Sequence, residues 1–301
     1  MRVRRFQDCG AAVYAMEDYQ TAMRTEASRR RSLGLTVTDQ DQPDEVFCLF
    51  PVSPGHAPLT IIGGMGPVAG AQAFRRACAL FQDSRVLVLY QACSVPDRST
   101  VILGERGPDT PVCRAIALRL ANAVRLAAVL AAPDGQPVGC ILACNSAHYF
   151  WRLVVDDLRQ TAAQVEMISL VESSVEALRL HSCKMALLLA TEGAQTGKVF
   201  STPFLNAGIV FDEPSLPLSH LLMRTVFEGV KALDQHRAVE LGNELFETIL
   251  QSGQDYDCVL AGCTELPLTI DLLKQRGSPA VADFLSRVKI VDPLEEALIH
   301  A

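Results

Sequence analysis

Two cysteines hold matching positions in this chain. Cys144 sits in "CILACNSAH" and Cys263 in "CVLAGCTEL", each after a short apolar run and before polar residues suited to opening a helix, Asn145 or Thr264. A thiol acts as a base only as the thiolate, and its ordinary pKa of about 8.5 falls beside a cation or a helix amino terminus. Two thiols on opposite flanks of one ligand can take a proton from one face of a carbon and return a proton to the other. That is inversion of a stereocentre. It needs one sulfur as thiolate and the other as thiol, with the roles exchanged for the opposite enantiomer, and in principle no metal and no cofactor.

Those positions require a scaffold that repeats. Cys144 and Cys263 are 119 positions apart (263 − 144), about one domain length, which points to a duplicated unit with a pseudo-twofold axis. From Leu59 onward short apolar runs alternate with longer amphipathic ones, the pattern of an α/β protein with mainly parallel strands. "LTIIGG", "RVLVLYQACS" and "PVGCILAC" read as strands in the first half, "MALLLAT" and "CVLAGC" in the second. "GPVAGAQAFRRACALFQ", "TPVCRAIALRLANAVRLAAVLAA", "HLLMRTVFEGVKAL" and "AVELGNELFETILQSG" carry apolar residues at helical spacing. The expected architecture is two Rossmann-like parallel-sheet domains: residues 59–167, completed by 279–301, and residues 168–278, with 1–58 as an N-terminal extension. Open α/β sheets place ligands at strand carboxyl ends, so two facing sheets put both thiols on one cleft.

The bulk composition narrows the function classes. A chain of 301 residues, 49% hydrophobic and 20% charged, is an ordinary globular protein of about two domains. Its formal net charge of −7 gives no general attraction to nucleic acid or to anionic membranes, so neither is an expected partner. No apolar stretch has membrane-spanning length, and "MRVRRFQDCGAAVYAMEDYQ" has no apolar core of the signal-peptide kind, so the expected location is cytoplasmic. In a reducing compartment the ten cysteines are expected as free thiols, with Cys78, Cys113, Cys183 and Cys258 acting as small core residues. Arg29, Arg30 and Arg31 read as a solvated helix face. His148, one helical turn after Cys144, reads as a first-turn polar residue bonded elsewhere rather than as a helper of the thiol.

"IIGGMGP", "PDRS", "CNSAH", "LLAT", "EGVK" and "GCTELPL" together resemble the aspartate/glutamate racemase superfamily, and within it the cofactor-independent aspartate racemase branch, from about Leu59 to the end. The resemblance implies an active site between two α/β domains, Cys144 and Cys263 as the acid/base pair, no cofactor, and a homodimer. The substrate it implies is a small acidic amino acid, aspartate before glutamate. It also makes Gly63, Gly64, Met65 and Gly66 a loop that cradles the ligand with backbone groups. Arg98 becomes the substrate-recognising arginine, whose fork can hold a carboxylate. Lys231 is placed near the site mouth, and Thr191 at a strand end offers a hydroxyl. Asn145, Ser146 and Thr264, directly after the thiols, can receive the α-carboxylate or cap the following helices. Glu265 can position the Cys263 thiol, and its charge would raise that thiol's pKa. The chain departs from the branch at Gly70 and Ala194, where threonine is usual, and at Ser146, which keeps the oxygen of a usual threonine.

Rival chemistries are weaker. Gly64, Gly66 and Ala69 satisfy G-x-G-x-x-A, but the next strand ends in Gln91 and Cys93 without a ribose-binding acid. Four sulfurs from Cys140, Cys144, Cys258 and Cys263 lack a zinc-ligand spacing, so no metal is expected. A maleate isomerase-like cis/trans isomerase on the same scaffold, with one thiol attacking carbon, stays open, as does a non-catalytic ligand-binding regulator.

Overall fold

The computed structural model describes residues 2–35, 43–161 and 164–301. Its first sheet holds β1 (Arg2–Phe6), β2 (Glu45–Leu49), β3 (His56–Gly63), β4 (Arg85–Gln91), β5 (Val138–Leu142) and β6 (Val165–Ile168), in spatial order β1-β2-β4-β3-β5-β6. The second holds β7 (Ala186–Ala190), β8 (Phe211–Asp212), β9 (Cys258–Gly262) and β10 (Lys289–Val291), in order β10-β9-β7-β8. Every pair in the second sheet is parallel, and so are β4-β3-β5-β6 in the first. The mixed α/β class read from the alternation of apolar runs is therefore the class observed.

Parallel pairing needs long crossovers, which the helices Pro67–Phe81 and Pro111–Ala131 supply between β3 and β4 and between β4 and β5. The second of these starts on a Thr110 cap, whose side chain accepts from the Cys113 amide at 3.3 Å, with proline in the first turn. It buries Ile116, Leu120 and Val124, each worth about 1.5–3 kcal/mol when fully removed from water. Strand register aligns the carboxyl ends. Gly63 pairs with Gln91 and Ile62 with Leu142 in the first sheet, while Ala190 pairs with Gly262 in the second. The residues that follow, Cys144 in one sheet and Thr191 and Cys263 in the other, thus leave their sheets at the edge where open α/β sheets place ligands.

Three expectations change. The described part of residues 1–58, read as an extension, builds the edge of the first sheet with β1 and β2. β1 pairs parallel to β2, and β2 pairs antiparallel to β4, so one antiparallel pair joins this edge to an otherwise parallel sheet. The helix Cys9–Ser32 buries Ala12, Met16, Tyr19 and Met23 in one core with Phe47, Leu49, Leu87 and Leu89. The segment 279–301 divides between the units. β10 pairs with β9, whose outer backbone groups need a partner, and only the helix Pro293–Ile299 returns to the first core through Leu294, Ala297 and Leu298. Finally, Cys183 and Cys258 are not free thiols. They form a disulfide with Cα atoms 6.0 Å apart, because the turn through Ser182 (φ 52°) brings Cys183 back to the start of β9. Among the described residues no helix is long and apolar enough to cross a membrane.

Candidate active site

Cys144 leaves β5 in an extended conformation and opens a 3-10 turn, Asn145–Phe150, of which it is itself the N-cap. Its amide donates to the Leu142 carbonyl at 2.8 Å. Its carbonyl accepts from the Ala147 amide at 3.1 Å and pairs with His148 Nδ1 at 3.0 Å. The Leu170 amide donates to His148 Nε2 at 3.1 Å, so Nε2 is the acceptor and Nδ1 carries the proton toward Cys144. Burial pushes the imidazole pKa down to about 4, with the backbone of Cys144 and Asn145 pulling the other way. The ring stacks on Trp151 at 4.9 Å. His148 is thus a neutral strut between Cys144 and the helix Leu170–Leu180, as expected for a polar residue bonded elsewhere.

The residues after the thiols do not cap helices. Asn145 Nδ2 donates instead to the Ala261 carbonyl on β9, at 3.4 Å, linking the two sheets. Thr191 Oγ1 accepts from the Ala194 amide and from Ser99 Oγ, each at 3.3 Å. With both lone pairs engaged, its own proton goes to Ser146 Oγ at 2.9 Å. Gly193 is required here, because a Cβ at that position would stand 2.5 Å from the Ser99 Cα. These bonds join the turn after β5 to the turn after β7.

On the other flank, Cys263 Sγ donates to Glu265 Oε2 at 3.1 Å, and Thr264 Oγ1 donates to the same oxygen at 3.1 Å. Glu265, rather than Thr264, is the N-cap of the helix Leu266–Arg276. Burial, then the Glu265 charge, raises the Cys263 thiol well above its ordinary value, although the Glu265 backbone and Lys231 pull it down. Cys263 is therefore held as the thiol in this arrangement. Glu265 Oε1 lies so close to Gly66 that a Cβ there would overlap it. A dinucleotide phosphate at this helix start would meet that carboxylate, which removes the G-x-G-x-x-A alternative. Cys258, tied to Cys183, is likewise unavailable to a four-sulfur zinc set.

Positive charge comes from Arg98 and Lys231. Arg98 donates to the Met65, Pro96 and Val95 carbonyls, the last two at 3.0 and 3.4 Å. Lys231 Nζ donates to the same Met65 carbonyl at 3.3 Å and lies 4.7 Å from the Phe227 ring centroid. Lys231 ends a π-helical turn, Thr225–Lys231, whose wide winding brings Val226 and Lys231 to one face with Phe227. Burial works to raise the Asp97 carboxyl, but Arg98, the Thr100 amide and Lys231 hold it below its ordinary value.

Met65, Arg98, Cys144, Asn145, Ser146, Thr191, Lys231, Cys263 and Thr264 line a single cavity, and Gly66 stands behind Glu265. Its volume of about 20 Å³ is room for about one water, so the walls are closed on one another. Two buried acceptors at this cavity, Asn145 Oδ1 and Glu265 Oε1, have no hydrogen-bond partner among the described residues. Asp97, Ser99, Val226 and Phe227 join the lining without having been singled out from the sequence. The first two flank Arg98 in "PDRS", which was the available signal. The others depend on π winding, which apolar spacing does not reveal.

The family model for Asp/Glu/Hydantoin racemase matches residues 62–301. The structure of Picrophilus torridus aspartate racemase superposes with a TM-score of 0.60 at 22% identity, covering 81% of this chain and 94% of that one. An aspartate racemase homologue from Pyrococcus horikoshii OT3 gives 0.55 at 22% identity, covering 81% and 97%. At such identity the likeness is one of fold.

Proposed function

We propose, on the premise that the chain belongs to the Asp/Glu/Hydantoin racemase family, that it inverts the α-carbon of an acidic amino acid, aspartate foremost, by proton transfer between Cys144 and Cys263 and without a cofactor. The observation that carries this reading is that both sulfurs line one cavity between the carboxyl ends of the two sheets. One thiolate takes the Cα proton while the opposite thiol delivers its own to the other face. When Cys263 is the base, Glu265 Oε2 is the group in position to accept its proton first, since the thiol already donates to it. When Cys263 is the acid, its raised pKa keeps the proton in place until the carbanion needs it.

The polar lining supports an acidic amino acid as the substrate. Asn145 Oδ1 and Glu265 Oε1, buried without partners among the described residues, match the donors of an α-ammonium group. Arg98 and Lys231 supply the charge for carboxylates, which would exchange with the Met65 carbonyl. The unpartnered acceptors favour an amino acid over maleate, which has no N–H to offer them. A homodimer belongs to the same proposal, on the resemblance described above.

Incubation of each enantiomer of aspartate and glutamate in deuterated water tests this. Deuterium should enter at Cα from either enantiomer of the true substrate, and Cys144→Ser or Cys263→Ser should each abolish racemisation. Turnover of maleate with no Cα exchange into any amino acid would overturn it in favour of the isomerase.

A further inference from the structure

We propose that the N-terminal helix Cys9–Ser32 braces one wall of the Cys144–Cys263 cavity, with Arg31 as a positioning residue for the turn that carries Lys231. Its kinetic consequence rests on the racemase reading, its structural consequence does not. The helix precedes the family-matched residues 62–301. At 1.5 Å per residue its 24 residues run about 36 Å, enough to pass beyond the first sheet, onto which Ala12, Met16, Tyr19 and Met23 anchor it.

Its last turn reaches the second unit, where Arg31 Nη1 donates to the Ala232 carbonyl. That carbonyl directly follows the π-helical turn Thr225–Lys231. The last carbonyls of a helix lack intrahelical partners and carry the negative end of its dipole, so a guanidinium is a suitable cap. Two turns earlier on the same helix, Arg24 lines a small cavity with Gly229, Val230 and Leu233 of that segment. Leu233, at φ 57°, packs into the core that the helix shares with the first sheet. Behind the turn there is no slack, since a Cβ on Gly229 would lie 2.6 Å from the Ala238 Cα. The turn is thus held between the helix Gln235–Gln251 and the N-terminal brace.

This same turn presents Val226, Phe227 and Lys231 to the active cavity, and Lys231 crosses it to the Met65 carbonyl. With the wall in place the space is about 20 Å³, so an amino acid enters only when the wall moves. The Arg31 contact opposes that movement and favours the closed arrangement. Loss of one charge-assisted hydrogen bond at an exposed position should shift the closed-to-open ratio about fivefold.

The test compares Arg31→Ala, Arg31→Lys and Arg29→Ala in the full chain. Arg29 lies two residues away, on Glu26, and serves as control. The first readout is the alkylation rate of Cys144 and Cys263 by iodoacetamide, followed peptide by peptide in a mass spectrometer; the second is KM and kcat for the acidic amino acid. Arg31→Ala should alkylate about fivefold faster and, because substrate enters only the open form, show a KM about fivefold lower with kcat within about twofold. Arg31→Lys should restore most of both, and Arg29→Ala should match the parent protein. Equal alkylation rates for Arg31→Ala and Arg29→Ala overturn the brace, whatever the kinetics. Faster alkylation in a protein that racemises nothing upholds the brace and removes the racemase reading instead.

Discussion

Replacing His148 by glutamine should flatten the acid limb of this protein's stability. The imidazole holds the Cys144 carbonyl and the Leu170 amide at 3.0 and 3.1 Å, and burial lowers its pKa from 6.5 to about 4. Between pH 6.5 and about 4 the unfolded chain binds a proton at this residue that the folded chain refuses. Stability is therefore fully present above about pH 6.5, falls with acidification, and levels off below about 4. At about 1.4 kcal/mol per pH unit the full loss is about 3 kcal/mol, of which about 2.5 kcal/mol is reached by pH 4.5. A glutamine side chain at this position would keep one donor and one acceptor but would not titrate. Urea unfolding followed by the fluorescence of Trp151, the single tryptophan and the stacking partner of His148, reports the transition. Carboxylate contributions are common to both proteins and cancel in the difference. The wild type should lose about 2.5 kcal/mol more than His148→Gln between pH 7.5 and 4.5. Parallel curves, agreeing within about 0.5 kcal/mol, would refute the account of His148 as a neutral strut.

Gly66→Ala should push the Glu265 carboxylate off Cys263, because the new Cβ overlaps Oε1; turnover should fall by about a hundredfold or more while stability drops by only about 1–3 kcal/mol, and normal turnover would count against the Cys263–Glu265 arrangement. Alkylation of Cys263 should rise only at alkaline pH, and Glu265→Gln, by removing the second cause of the raised thiol pKa, should move that rise to lower pH; an unmoved or upward-shifted profile would show that the carboxylate does not act on the thiol. Dithiothreitol should lower the urea midpoint of the wild type to that of the Cys183→Ser, Cys258→Ala double variant, a loss of about 2–4 kcal/mol for a bridge spanning 75 residues; a wild type indifferent to reductant would contradict the disulfide.

The fold class was readable because parallel strands buried on both faces become continuous apolar runs, as in "RVLVLYQ" and "ALLLA", and crossover helices show the longer apolar spacing. The segment before Leu59 was not readable in this way. Its strand "RVRRF" lies at a sheet edge, with a half-exposed pattern that mimics a polar tail, and its partner "EVFCL" adopts a direction that only pairing with β4 decides. Likewise "KIV" is three residues long, and nothing local says that it joins β9 rather than the first sheet.

For the candidate site, chain-local information was the motifs: a thiol after each of two strands, an arginine in "PDRS", a lysine in "EGVK", a glycine loop after β3. Partnership was decided by distances between residues far apart in the chain. Asn145 looked like a cap and bonds Ala261 instead; Ser146 and Thr191 share a hydroxyl pair; Cys183 and Cys258 looked like two separate core thiols and are one bridge. A side chain's type and spacing establish what it can donate, accept or titrate. Which atom stands within about 3 Å to receive it depends on how two sheets and a helix from the first 35 residues pack, since hydrogen bonding and desolvation act at contact range and carry no trace along the chain.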